Sequence, residues 1–396
     1  MSRLEELIEQ YCPDGVEWKP LGNYLSYEQP TLYLVASTKY DDNYPTPVLT
    51  AGQSFILGYT NEENGIFQAS KDAPVIIFDD FTTSFHWVEF PFKVKSSAMK
   101  MLRPIDEKKV LFRYLYYCMK NILYTPGDHT RQWIGTYSQF EIPVPPLPVQ
   151  EEIVRILDTF TELQAELQAE LQKRKQQYNY YRDNLLNFKD INRGGYQTEV
   201  RWMKLKDVCM KTSNIKWKST TGQYRYIDLS SVDIQTHSII STIEIDKMSA
   251  PSRAQQIVQE DDVIFATTRP TQMRACIIPT EYNGDICSTG YCVLRVDTKI
   301  LLPRFLFFSL TVSGFKTYLS NNLTLGNYPS ISNSTLLEYE VPVPSLANQQ
   351  RIVSILDRFD RITSDLTSGL PAEIEKRRQQ YEYYRGKLLT FKRKGA

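Results

Sequence analysis

Two groups of residues, set in polar loops, carry the side chains that could do chemistry. The first comprises Thr82, Thr83, Ser84, His86, Lys93, Lys95, Ser96, Ser97, Arg131, Gln132 and Trp133; the second comprises Thr267, Thr268, Arg269, Arg274, Ser288, Thr289, Asn327, Tyr328 and Ser330. Hydroxyls, amides, guanidinium groups and aromatic rings in loops are the groups with which a protein reaches phosphate oxygens and base edges. Taken alone, either group is better read as ordinary surface loops; two divergent groups on one repeated scaffold fit bipartite recognition better. Neither contains an arrangement for making or breaking bonds. Ser313-Gly314-Phe315-Lys316-Thr317 lacks the first glycine and the loop length of a phosphate-cradling P-loop, and no G-x-G-x-x-G loop follows a strand. The Asn- or Asp-Pro-Pro-aromatic tetrapeptide of amino-methyltransferases is also missing. A carboxylate-x-lysine pair, which nucleases use, occurs at Asp106-Glu107-Lys108 and again at Asp297-Thr298-Lys299. Both follow a strand and precede a helix, where a charged turn is expected. These patterns predict recognition without catalysis, and no cofactor bound by this chain.

Metal chemistry is not expected either. Six cysteines are scattered at Cys12, Cys118, Cys209, Cys276, Cys287 and Cys292, and the histidines number three: His86, His129 and His237. None of the cysteines has the close spacing of a zinc knuckle, so reduced and mostly buried thiols are expected.

The elements that must position these loops are organised by a stretch that occurs twice. The first copy opens with Ile142-Pro143-Val144-Pro145, continues through Ile153-Val154-Arg155-Ile156-Leu157-Asp158 and closes with Gln176-Gln177-Tyr178-Asn179-Tyr180-Tyr181-Arg182. The second runs from Val341-Pro342-Val343-Pro344 through Ile352-Val353-Ser354-Ile355-Leu356-Asp357 to Gln379-Gln380-Tyr381-Glu382-Tyr383-Tyr384-Arg385. Unusual features in the same order over so long a match mark an internal duplication. Each copy predicts a long amphipathic helix with an apolar seam stepping by three and four. The seam residues are Leu157, Phe160, Leu163, Leu167, Leu171, Tyr178 and Tyr181 in the first copy, and Leu356, Phe359, Ile362, Leu366, Ile374, Tyr381 and Tyr384 in the second. One such seam cannot be buried alone, so the two helices are expected to pack on each other as a coiled-coil spacer. The second copy carries four extra residues around Ser368-Gly369-Leu370-Pro371, where glycine and proline should bend or interrupt it.

The duplication extends into globular parts. Val16-Glu17-Trp18-Lys19-Pro20-Leu21 and Val200-Arg201-Trp202-Met203-Lys204-Leu205 open the two units alike, the second after a linker at Asn192-Arg193-Gly194-Gly195. Short strands are expected at Ala73–Phe78, Phe92–Lys95 and Met99–Leu102, and at Asp262–Ala266 and Tyr291–Val296. A helix near Phe112–Tyr117 and another near Pro303–Phe308 match at an offset of 191 positions. The chain is therefore read as 1–141, a first globular domain with a short N-terminal helix; 142–195, the first long helix and linker; 196–340, a second globular domain; and 341–396, the second long helix. With 396 residues, 42% of them hydrophobic and with no run of eighteen apolar residues, it reads as a water-soluble intracellular protein. Its net charge of zero leaves the distribution of charge, not its total, to mark a nucleic-acid surface.

Taken together, the [IV]-P-[IV]-P lead-ins at Ile142 and Val341, the helix starts at Ile153 and Ile352 and the closes at Gln176 and Gln379 resemble the specificity subunits of type I restriction–modification systems, HsdS. Asp285-Ile286-Cys287-Ser288-Thr289-Gly290-Tyr291 is similar to a strand common in that family's recognition domains. The resemblance spans essentially the whole chain. It implies an α+β protein in which two mixed α/β target-recognition domains, related by a pseudo-two-fold duplication, are joined by two long helices forming an antiparallel coiled coil. It further implies that each domain reads one half of a bipartite, asymmetric site in double-stranded DNA. Two methyltransferase subunits would dock on the chain, bringing S-adenosylmethionine, and restriction–translocase subunits would join with ATP and Mg, all in the cytoplasm. Two other readings remain at this point: a coiled-coil adaptor that touches no DNA, and a DNA-binding protein that works without modification partners.

Overall fold

The computed structural model describes residues 2–52, 54–188, 200–324, 326, 328–364 and 368–395. The chain forms two compact units, Met1–Ala165 with Lys376–Ala396, and Glu166–Glu375. The linker expected at 192–195 and the seam residue Leu366 lie outside the described residues.

The first unit begins with helix α1, Arg3–Tyr11, started by a capping box in which Ser2 and Glu5 satisfy each other's backbone N–H groups. Its main sheet has the order Leu25–Glu28, Met99–Pro104, Val75–Asp79, Phe85–Val88, with all neighbours antiparallel. A second sheet pairs Thr46–Leu49 antiparallel with Ile56–Thr60 and parallel with Lys93–Val94. The central strand explains both layers. Ile76 and Phe78 enter one core with helix α2, Phe112–Asn121, whereas Val75 and Ile77 enter a second core under the other sheet. Successive side chains of a strand point to opposite faces, so a strand covered on both sides reads as a continuous apolar run. Helix α3, Leu147–Leu186, follows without a break; its residues up to Ala165 belong to this unit and the rest to the other.

The second unit repeats the plan. Helix α4, Leu205–Val208, precedes a main sheet of order Cys209–Met210, Tyr291–Val296, Val263–Ala266, Ala275–Ile277. Tyr224–Ile227 again pairs antiparallel on one side, with Ile243–Ile245, and parallel on the other, with Ile286–Ser288; Ala254–Ile257 adds a fourth strand. Val263 and Phe265 face the helical core, and Ile264 and Ala266 the inter-sheet core. The helical core is built by α5, Pro303–Ser309, whose Phe305, Leu306, Phe307 and Phe308 are buried, together with α6, Ser313–Asn321, and α7, Asn333–Leu337. Each such side chain contributes about 1.5–3 kcal/mol by leaving water.

In place of one second long helix there are two, α8, Leu346–Ser364, and α9, Leu370–Leu388. The interruption falls on the four-residue insertion, and Pro371 sits in the first turn of α9, where its missing N–H costs nothing. Within the first unit Phe160 of α3 stacks on Tyr384 of α9 at 5.5 Å. Within the second, Tyr181 of α3 stacks on Phe359 of α8 at 5.7 Å, with Tyr178 at 6.5 Å. Leu157 and Leu356 are fully buried, each in the helical core of its own unit. Leu163, Leu167, Leu171 and Ile374 are half-buried. The expected inward position of Ile362 is corrected: it is 44% exposed, and the neighbouring Thr363 is buried instead, its hydroxyl donating to the Phe359 carbonyl.

One device ties each long helix to its globular domain, and it appears in both units. Gln150 in the first turn of α3 is fully buried; its Oε1 accepts from Leu111 N at 2.9 Å and its Nε2 donates to the Pro145 carbonyl at 2.7 Å. Gln349 in α8 does the same with Leu302 N at 2.8 Å and the Pro344 carbonyl at 2.9 Å. About two turns further along the long helices, Asp158 pairs with Arg113 at 2.8 Å, and Asp357 with Arg304 at 2.7 Å. An uncapped N–H at the start of a buried helix would cost about 1–3 kcal/mol, and each glutamine removes that cost by supplying the acceptor.

Candidate nucleic-acid interface

In the first unit the candidate loops meet at Asp80, where the central strand ends. The Asp80 N–H donates to the Ala98 carbonyl at 3.2 Å, and the Asp80 carbonyl accepts from Gln132 N at 2.8 Å. Its carboxylate accepts from Trp133 N at 2.8 Å and pairs with Lys100 at 3.2 Å, both side chains 2% exposed. Lys100 also lies 4.3 Å over the Tyr27 ring. One residue therefore joins the turn after the central strand, the 95–98 loop and the 128–133 loop. Phe81 stacks on His129 at 4.6 Å across the first and third of these. The turn itself is held by Asp79, which accepts from the N–H groups of Phe81 and Thr82 at 2.9 and 2.8 Å, with Thr83 in the left-handed region at φ 58°. On the outside of this arrangement Thr82, Lys95, Ser97 and Arg131 are exposed, and Ser84 and Ser96 partly so.

Several residues of the first group stand elsewhere. Lys93 is buried, donating to the Asn64 carbonyl at 2.6 Å and paired with Glu62 at 3.0 Å. His86 binds the Gly52 carbonyl at 2.8 Å and stacks on Phe55 at 4.5 Å, and burial holds its pKa below the usual histidine range. Gln132, Trp133 and Thr83 are buried as well, Trp133 with its ring 5.1 Å from Phe78. Of these side chains only His86 keeps partial exposure.

In the second unit the equivalent end of the central strand carries a recess of about 610 Å³. Thr268, Arg269, Arg274, Tyr328 and Ser330 of the expected group line it together. The loop of Arg269 is fixed by pairing with a distant segment: Arg269 N donates to the Pro329 carbonyl at 2.7 Å, Ile331 N to the Thr267 carbonyl at 2.9 Å, and Thr268 bridges to Ser330. Arg269 adopts φ 50°, a left-handed conformation uncommon outside glycine, and Met273 adopts φ 56° on the other side of the same turn. The Arg269 guanidinium lies 4.9 Å over the ring of Tyr328, which is 65% exposed. Arg274 spends one nitrogen on the Val232 carbonyl. Thr267 and Ser288 are buried, donating to the Gly290 carbonyl and accepting from Gly290 N respectively, while Thr289 is exposed. Asn327 lies outside the described residues.

Functional candidates absent from the sequence reading are Asp80, Arg253, Gln272 and Ser230; the last three also line the recess. Arg253 comes to it through a strand pairing, since Thr289 N donates to its carbonyl at 2.9 Å. No local signal in the chain marks that neighbourhood. Both carboxylate-x-lysine pairs are turns: Asp106 and Asp297 each accept from the N–H two residues on, at 3.1 and 3.0 Å. Of the six free cysteines five are buried, and burial pushes the Cys118, Cys209, Cys276 and Cys292 thiols up to about 12. Among the described residues no group of three His, Cys, Asp or Glu side chains could hold a metal ion, and no helix is long and apolar enough to cross a membrane.

The sequence profile of the type I restriction modification DNA specificity domain matches residues 33–176 and again 197–376. The chain is 41% identical over 417 residues to the type I restriction enzyme EcoR124I/EcoR124II specificity subunit of Escherichia coli, covering 99% of this chain and 97% of that one. Its fold is similar to the crystal structure of a type I restriction–modification system S subunit from M. genitalium, with a TM-score of 0.55 over 95% of this chain and 96% of that one, at 14% identity.

Proposed function

The chain belongs to the family of type I restriction–modification specificity subunits, and on that premise we propose how it does its work. Each globular domain reads one half of a bipartite site in double-stranded DNA. The antiparallel helices hold the two readers apart and set the spacer between the half-sequences. Two methyltransferase subunits dock on the chain and bring S-adenosylmethionine, and restriction–translocase subunits join with ATP and Mg. The chain itself recognises without catalysing, in the cytoplasm where the DNA is.

The observation that carries this reading is a scaffold that recurs in both units with different chemistry at the same place. Strand order, the buried glutamine and the arginine–aspartate pair recur in both units. At the end of the central strand, however, one unit presents Thr82, Lys95 and Arg131 around Asp80, and the other presents an arginine-lined recess. Two readers with one frame and unlike surfaces are what a split, asymmetric site requires, and a coiled-coil adaptor would need neither surface. The test is methylation of DNA by the purified chain, alone and with its methyltransferase subunits. The complex should modify a site of two separated half-sequences, and the chain alone should modify nothing. Turnover by the chain alone, or a single continuous site, would overturn the reading.

A further inference from the structure

We propose that the recess of the second domain is its base-reading site, with Arg269 reading a guanine and Arg253 holding a backbone phosphate. The inference rests on the function proposed above and goes beyond it by giving individual side chains their ligands.

Among the described residues the lining includes three arginines and no carboxylate, so the recess draws anions and presents guanidinium donors that no acid in it takes up. The three are not alike. Arg274 is half-buried and anchored to the Val232 carbonyl, which makes it a fixed positive wall. Arg253 is exposed at the head of the strand Ala254–Ile257 and suits a backbone phosphate, whose oxygens accept guanidinium N–H bonds and carry no sequence information. Arg269 is held on both sides. Its backbone is held in the left-handed region by the bond to Pro329, and its guanidinium carbon lies 4.9 Å from the centroid of the Tyr328 ring. A guanidinium over an aromatic ring can keep its in-plane N–H fork free for a base edge, and that fork meets guanine O6 and N7 together. Thr268, Gln272 and Ser330 around it offer the further donors and acceptors that base edges need. A backbone strained into the left-handed region costs free energy, and an arginine that only touched phosphate would not require it.

The experiment uses the full chain in complex with its methyltransferase subunits. Binding is titrated against the mapped site and a set of single-base variants, at several salt concentrations. Arg269→Ala and Arg269→Lys should each relax discrimination by about tenfold to a hundredfold at one base pair of the second half-site, a pair that contains guanine. The lysine variant keeps the charge and loses only the fork, so its salt dependence should match the parent. Arg253→Ala should weaken binding alike on every sequence and lower the salt slope by about one. First-half discrimination should be unchanged in all three, which also shows that each variant is folded. Unaltered base preference in Arg269→Lys, with uniform salt-sensitive loss in Arg269→Ala, would make Arg269 a phosphate contact and overturn the proposal. If the parent complex itself shows no half-site preference, the reading of the whole chain falls with it.

Discussion

Asp80 shows how one buried side chain can decide the shape of a surface it does not reach. Its carboxylate and backbone hold three loops and a buried lysine, so exposed residues as distant in sequence as Thr82, Ser97 and Arg131 share one surface through it. Removing one partner of a buried ion pair strands the other charge, which typically costs about 3–5 kcal/mol. Asp80→Ala should therefore lower stability by about that amount and blur the first half-sequence. The joint replacement Asp80→Leu with Lys100→Met strands no charge and should cost less than Asp80→Ala alone. Denaturant melts of the parent, Asp80→Ala and the double variant check this; a double variant at least as unstable as Asp80→Ala would remove the ion pair from the explanation. The glutamines at 150 and 349 make the same point for helices. Each is a polar residue at 0% exposure that is tolerated because its amide is fully used.

At the scale of elements, α3 runs unbroken through the tetrapeptide repeat Glu162-Leu163-Gln164-Ala165-Glu166-Leu167-Gln168-Ala169-Glu170-Leu171, while its counterpart splits into α8 and α9. Strong helix formers without glycine or proline explain the first, and Gly369 and Pro371 the second. Because Leu163, Leu167 and Leu171 are spaced by four, deleting Gln164–Leu167 leaves Leu163 followed by Leu171 at the same spacing. The seam should re-form in a helix shortened by about 6 Å, at ~1.5 Å per residue. At ~3.4 Å per base pair that is one to two base pairs. Rotation favours one, since four residues overshoot a ~3.6-residue turn by roughly 40°, near the twist of a single base pair. Both half-sequences should persist with a gap one base pair shorter, read by methylation mapping. An unchanged gap at full activity, or an altered half-sequence, would show that the helix is not the ruler.

For the whole molecule the consequence of the duplication is modularity. The main sheet and the helix anchors recur as the frame, and the loops at the end of each central strand are among the parts that differ. Function then lives in the grafted surface and not in the fold. Replacing residues 16–141 with the matching segment of a relative should exchange one half-sequence and leave the other and the spacer untouched. The modified sites of the chimeric complex decide this, and a simultaneous change in both half-sequences would refute the modular reading.

The sequence by itself determined the frame. Internal repetition, the apolar seam at helical spacing, the buried strands at 75–79 and 263–266 and the break near Pro371 are all local patterns, written in neighbouring residues and so legible without coordinates. What only the tertiary structure decided is which polar side chains meet the outside. Lys93 and Lys95 stand two residues apart with the same chemistry, yet Glu62 and the Asn64 carbonyl bury the first while the second stays exposed. Arg253 joins Arg269 only because the strand that follows Arg253 pairs with Ile286–Ser288. The exposure of a charged group is set by partners that arrive from far along the chain, and no window of sequence around the residue contains them.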